Sequence, residues 1–543
     1  MKNQVIDFNG ILEVIKEIIA YAQEMKVEME DPVFGEKRKF QISDMSISCI
    51  FNERIYNSFY NGLIETKDSY SISSSMLISI WIKNGKKICR QVYTDVNIPL
   101  QPKNLKIHLR SVIYNDIFNA MDNFFVAKID NNKYSVLPEF SGEHYIGKTS
   151  PIRNVSQKSL EMISQEGQSI YRLARAMKSQ QDCIVMKKTN LVADSSGTSV
   201  IEANTYYSMS TTLQYLSSRQ TSLTPSNVKL YKSERAMVKD FGAFSEEFRQ
   251  AIDNIHDYTN IPSGVYPILM DPAAVHTLIH EALGAHMFSA SYIANERSMV
   301  FKDKIGVNLA DYSEQFEAFR DMSIYCRPND KRFVASYLFD NEGTKSKDVC
   351  LLKKGVVMNF LTCRNSSHRL GLEPGGHALA QSFNGITPDG ENIPIIPEPR
   401  ISNLVIQSHN KYPLEEMRKD ILELCRAGNF PFYLEVSSKN GQVDVESGNF
   451  MLFLDNIKVC FLDGTKKNVL GGTLAGDLFS FVSTICGISN TYGEDIGMCG
   501  ASSGFVPTHG KTPYMYFFGI NFVPTKEPEK VKNYDLARDK ENL

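Results

Sequence analysis

Apolar residues along this chain switch between two periods, and the switches divide it into elements. Between residues 8 and 25, Ile11, Leu12, Ile15, Ile18, Ile19 and Ala22 fall on one stripe with Glu13, Lys16 and Glu17 opposite, which predicts an amphipathic helix. From 38 to 100 the pattern turns β-like. One run holds Ile42, Met45, Ile47 and Cys49, a second covers 71–81 and a third 86–94, with Asn84-Gly85 as the hairpin turn between the last two. Residues 109–126 and 154–179 return to helical spacing, the latter through Leu160, Met162, Ile163, Ile170, Leu173 and Met177. Strands are expected over 183–194 and 198–215, on either side of a Ser195-Ser196-Gly197 turn. A charged helical stretch, 230–256, ends at the breaker Ile261-Pro-Ser-Gly264. A helix-rich segment, 271–325, then precedes many strands separated by Gly and Pro turns, to about residue 525.

These patterns predict an α+β fold of two mixed domains: an N-terminal α/β domain over 1–235, a strand-rich C-terminal domain over 236–525, and a charged, solvated tail over 526–543. The length of 543 residues agrees, because one hydrophobic core stops growing well below that size. The balance of 62 acidic against 59 basic residues, a net −3, argues against a nucleic-acid or anionic-membrane surface. Ten cysteines, scattered and without a CxxC pair, fit a reduced compartment. No signal peptide and no run of about 18 apolar residues is seen, so the expectation is a cytoplasmic protein that does not span a membrane.

Candidate chemistry concentrates in the run from Tyr266 to His286. Asp271 is a suitable helix N-cap and Pro272 sits at N1, where a missing N–H costs nothing. Val275, Leu278, Ile279, Ala282 and Leu283 form the stripe to be buried. His276, His280 and Gly284 follow at four-residue steps on a neighbouring face, with Glu281 one step round. Imidazoles beside a carboxylate on one helix are a way to hold Zn²⁺ and set a general base against water. The spacing is informative: His280 and His286 are six residues apart and on an ideal helix diverge by about 120°. They can share an ion only if the helix ends or bulges near Gly284-Ala285. His276 and His280, at regular spacing, are a rival pair. Cys499, in a glycine-rich segment expected to be a loop, is a candidate third ligand. His377, in the glycine turn before Ala378, reads as a solvent-facing loop histidine.

Several ordered motifs in the second half resemble the TldD/PmbA peptidases, the modulator-of-gyrase group. Val265-Tyr-Pro-Ile-Leu-Met-Asp-Pro-Ala-Ala and Leu278-Ile-His-Glu-Ala-Leu-Gly resemble that family's strand and metal helix. Ala380-Gln-Ser-Phe-Asn and Pro397-Glu-Pro-Arg-Ile-Ser-Asn-Leu resemble its PxPRxSN strand. Glu446-Ser-Gly-Asn-Phe, Gly472-Thr-Leu-Ala-Gly-Asp-Leu-Phe and Gly497-Met-Cys-Gly resemble its later strands and its GxCG segment, and 191–213 its N-terminal strand pair. The resemblance implies a zinc peptidase acting on small or unfolded peptides held as an added strand at a dimer interface, with one Zn²⁺ per chain. His280 would be the first zinc ligand, Glu281 the general base and Cys499 the third ligand. The family pattern HExxxH is HExxxxH here, and treating Ala285 as an insertion brings His286 into register as the second ligand. Arg400 and Asn403, on a strand suited to pairing with a peptide, would orient the substrate, and His509, expected in the loop after Cys499, would reach the site. The implied assembly is a homodimer or a heterodimer with a related subunit. The alternative is a metal-free scaffold subunit of such an assembly.

Overall fold

The computed structural model describes all residues except 1–4, 31–34, 36, 85–86, 127–141, 174–177, 217–221, 224–225, 257, 285–286, 298–300, 312–313, 387–391, 410–411, 445 and 526–543. The expected tail and His286 therefore lie outside the described residues.

The first amphipathic stretch forms the helix Phe8–Glu24, capped by Asp7, whose Oδ1 accepts the Gly10 N–H at 2.9 Å. Its stripe is buried: Ile11 and Ile15 are fully covered and Ile18 nearly so. It lies with the helix Pro102–Val126 on a nine-stranded sheet. The strand order is Lys87–Val96, Leu63–Asn84, Lys37–Tyr60, Lys178–Asp194, Ser199–Leu216 and His144–Ile146, antiparallel except for the last pair. The alternation read from the sequence sets the register, with Ile47 opposite Ile78 on one side and Ala193 on the other. Helix Gln157–Leu173 helps to build a second core around Phe59, Val185 and Phe244. Helical spacing overstated this element at its C-terminal end, because Lys178 already belongs to the next strand. The turn at 195–197 forms as expected: Asp194 Oδ1 accepts the N–H groups of Ser196 and Thr198, and Gly197 takes φ +96°.

The sheet continues through the strand Ser226–Tyr231, so the helix expected from 230 begins only at Glu234 and runs to His256. It leads into a second, eleven-stranded sheet. Within that sheet the strands Gly264–Met270, Phe432–Val443, Asn449–Phe461, Gly472–Asp477 and Gly504–Pro524 pair in order. The last also pairs with the first, closing a small barrel. Ile268, Leu434, Leu452, Leu474 and Phe522 belong to its apolar core. Asn403–Ser408, Met322–Cys326 and Val349–Lys353 extend the sheet from Gly504–Pro524, and Ile485–Ala501 forms a long hairpin with it. The segment 271–325 is less helical than its pattern predicts, because it breaks into short helices before the strand Met322–Cys326. No helix among the described residues is long and apolar enough to cross a membrane.

Candidate metal centre

The barrel strand Gly264–Met270 delivers the chain directly into the helix Pro272–Ile279. Asp271 caps it as expected, its Oδ1 accepting the Ala274 N–H at 2.8 Å, with Pro272 in the first turn. Val275, Leu278, Ile279 and Leu283 are buried in the main core, which fixes the opposite face against the 485–524 hairpin. From His280 to Gly284 the helix widens to π geometry. The bulge considered for the HExxxxH spacing is thus present, beginning at the first histidine. His286 follows it, outside the described residues.

His280 and Cys499, 219 residues apart, meet there: His280 Nε2 lies 2.9 Å from Cys499 Sγ, and both side chains are buried. Burial pushes the His280 pKa down to about 4, so its ring is neutral, the form in which imidazole binds a metal. Glu281, half-buried on the π turn, has its pKa pushed up to about 7, first by burial, with Cys499 adding to the rise and His280 opposing it. The strand Phe432–Val443 passes so close that a Cβ on Gly441 would stand 2.8 Å from Glu281 Cγ.

Cys499 lies in the strand Ile485–Ala501, not in a loop, directly across from Val506. Its partner is Arg400, whose Nη2 donates to Cys499 O at 2.7 Å and to Sγ at 2.9 Å. Nη1 of the same guanidinium donates to Ser503 Oγ at 2.7 Å and to Gly504 O at 2.9 Å. Arg400 is 2% exposed, so it organises the cysteine hairpin and does not present itself to a cleft. The guanidinium thus fixes the sulfur beside the His280 ring.

His276, the rival ligand, stands beside His280 with ring centroids 5.7 Å apart. Its Nδ1 is 2.8 Å from Asp495 Oδ2, and its Nε2 is buried without a hydrogen-bond partner among the described residues. Gly510 packs against this ring, where a Cβ would come within 2.3 Å of His276 Cγ.

The remaining candidates are not brought to this point. Asn403 is fully buried, its Nδ2 donating to Arg327 O at 2.8 Å and to Ser336 Oγ at 3.3 Å. Residues 404–405 pair with a strand on each edge, so this strand has no free edge there for a peptide. His509 lies within the strand Gly504–Pro524, not in a loop. Its Nδ1 accepts the Val334 N–H at 3.2 Å, its Nε2 is 3.4 Å from Glu494 Oε2, and burial pushes its pKa down to about 4. His377 is fully buried rather than solvent-facing, Nε2 3.1 Å from Lys347 O. Asp495, Gly441, Gly510 and Ser503, all in contact with the site residues, carry no motif signal by which sequence reasoning would single them out.

Among the described residues no group of three or more His, Cys, Asp or Glu side chains is placed to hold a metal ion. The two donors that do converge fit zinc in kind, since a thiolate and a neutral imidazole suit that ion.

The two-sheet architecture is that of TldE from Thermococcus kodakarensis, with a TM-score of 0.63 at 15% identity, over 94% of this chain and the whole of that one. In sequence, residues 263–523, just under half of the chain, match the PmbA/TldA metallopeptidase C-terminal domain. A metalloprotease of Methanothermobacter thermautotrophicus is 29% identical over 257 residues, 47% of this chain and 49% of that protein. A zinc metalloprotease TldD homolog of Saccharolobus solfataricus is 24% identical over 240 residues, 44% and 46% of the respective chains. This chain's matching region spans about half the length of these curated relatives.

Proposed function

We propose that this protein is a zinc-dependent peptidase that hydrolyses small or unfolded peptides. The observation that carries the reading is the convergence of His280 Nε2 and Cys499 Sγ at 2.9 Å beside Glu281, on a helix that widens into a π turn. His280 and Cys499 would hold the ion, with His286 as the third ligand after the bulge. Zinc there supplies Lewis acidity, polarising the scissile carbonyl and making water more acidic. Glu281 takes the proton of the attacking water and passes one to the leaving amine, the two transfers a general base and acid makes in turn. Arg400 keeps the sulfur in place. His276, braced by Asp495, orients the same face of the helix. The likeness to TldE supports an assembly with a second copy or a related subunit.

One feature favours a second reading, a metal-free scaffold subunit: the third donor, His286, depends on a helix one residue longer than the family pattern. Elemental analysis separates the two. The peptidase reading expects about one zinc per chain, lost in Cys499→Ala, with Glu281→Gln retaining the metal and losing peptide cleavage. A metal-replete preparation without zinc supports the scaffold, and undiminished cleavage by Glu281→Gln removes that residue from the mechanism.

A further inference from the structure

Lys187 and Lys188 are neighbours on the strand Lys178–Asp194, and successive side chains of a strand point to opposite faces. Lys187 finds an acid: its Nζ is 2.7 Å from Glu53 Oε2, and both groups are buried. Lys188 turns the other way, into a cleft between the two sheets. Its ammonium donates to Ala380 O and has no carboxylate partner among the described residues. The cleft encloses about 480 Å³, counting its open mouth, and its lining includes Lys188, Asn190, Asn204, Tyr206, Leu379 and Val506.

Several other polar groups of this wall are engaged. Asn190 Nδ2 donates to Asp340 O at 2.8 Å and its Oδ1 accepts from Asn341 at 3.0 Å. Glu202 also lines the cleft, but its Oε1 accepts the Leu338 N–H and the Asn204 amide, and its Oε2 the Phe339 N–H. The positive charge of Lys188 is left unanswered. Leaving a cation unpaired in a partly desolvated wall is costly unless a ligand completes it. Burial and the nearby Arg400 push its pKa down to about 8, which still leaves it mostly protonated at neutral pH. The cleft also borders the candidate metal centre. Val506, in its wall, stands opposite Cys499 in the hairpin register, and Arg400, which bonds to Cys499 Sγ, is close enough to Lys188 to act on its charge.

We propose that Lys188 is a specificity-determining residue, and that this cleft receives a carboxylate of the bound peptide next to the His280–Cys499 site. The proposal rests on the peptidase reading for the identity of the ligand. Its test does not depend on turnover. Calorimetric titrations of the full chain, in a Glu281→Gln background, would use N-acetyl-dialanine, its C-terminal amide, and N-acetyl-aspartyl-alanine amide. A carboxylate-bearing probe should bind roughly tenfold or more tighter than the neutral amide. Lys188→Met should abolish that preference while still binding the neutral amide, which shows the fold intact, and Lys188→Arg should keep the preference. Tighter binding of the free acid assigns the terminal carboxylate; tighter binding of the aspartyl probe assigns an acidic side chain. Equal binding of acid and amide, a preference that survives Lys188→Met, or no binding of any probe overturns the proposal. Failure of the peptidase reading shows separately, as wild-type protein that cleaves no peptide.

Discussion

Burial decides the charge of the histidines that matter here. His280, His377 and His509 are all covered, and each has its pKa pushed down to about 4, chiefly by loss of solvent. At the candidate metal centre this yields a neutral ligand. At His377, whose Nε2 donates to Lys347 O at 3.1 Å and which takes no part in that centre, it makes a stability term. An unfolded histidine titrates near 6.5. The folded value lies below it, so the unfolded state binds the extra proton as pH falls from 6.5 toward 4, and stability drops across that window. Urea midpoints compared at pH 7 and pH 5 isolate this term if wild type and His377→Gln are measured together, since all other titrations cancel. Wild type should lose about 2 kcal/mol more than the variant over that interval. Parallel pH profiles would show that His377 does not stay neutral in the native state.

At the scale of elements, what could be read in advance was local, and what could not was a matter of register. The cap at Asp271, Pro272 and the buried stripe were visible because a helix writes its period into the sequence. So was the need for a bulge, since six residues do not fit whole α-helical turns. The guanidinium of Arg400 on Cys499, 99 residues away, was not visible, because a one-residue slip of either strand would separate them. The same holds for Asp495 against His276 and for Gly441 beneath Glu281. The two edges that enclose 404–405 escaped notice for a related reason: an alternating pattern shows which side chains are buried, not which strands flank them. Gly441 gives the element-scale test. In Gly441→Ala the new Cβ would meet Glu281 Cγ at 2.8 Å and the Leu452 and Thr277 side chains at 3.1 Å. Glu281 is the member of that group most free to move. Zinc content should therefore persist while kcat falls, by roughly a hundredfold for a displacement of about 1 Å. Retention of full kcat would mean that the placement of Glu281 is not critical.

Across the whole molecule, the two sheets are joined by a few directed contacts at the end where Asp194 turns the first hairpin. Asp194 Oδ2 is 3.1 Å from Arg364 Nη1 and both side chains are buried, while Arg364 Nε donates to Thr344 Oγ1 at 2.9 Å. Asn190 donates to Asp340 O, and Glu202 accepts the Leu338 and Phe339 N–H groups, along the same seam. His280 and Cys499 both belong to the second half of the chain, whereas the Lys188 cleft needs both sheets. The two functions should therefore come apart when the seam is weakened. Arg364→Met leaves the Asp194 carboxylate buried without its cation, a loss of about 3–5 kcal/mol. Asp194→Asn combined with it should restore part of that stability, because the uncompensated charge is then gone. In the folded fraction of Arg364→Met, metal content should be that of wild type, while the acid-over-amide preference of the cleft weakens. An unchanged urea midpoint in Arg364→Met would show that the Asp194–Arg364 pair adds nothing to the hold between the sheets. Loss of zinc together with the cleft preference would show that the metal centre also depends on the first sheet.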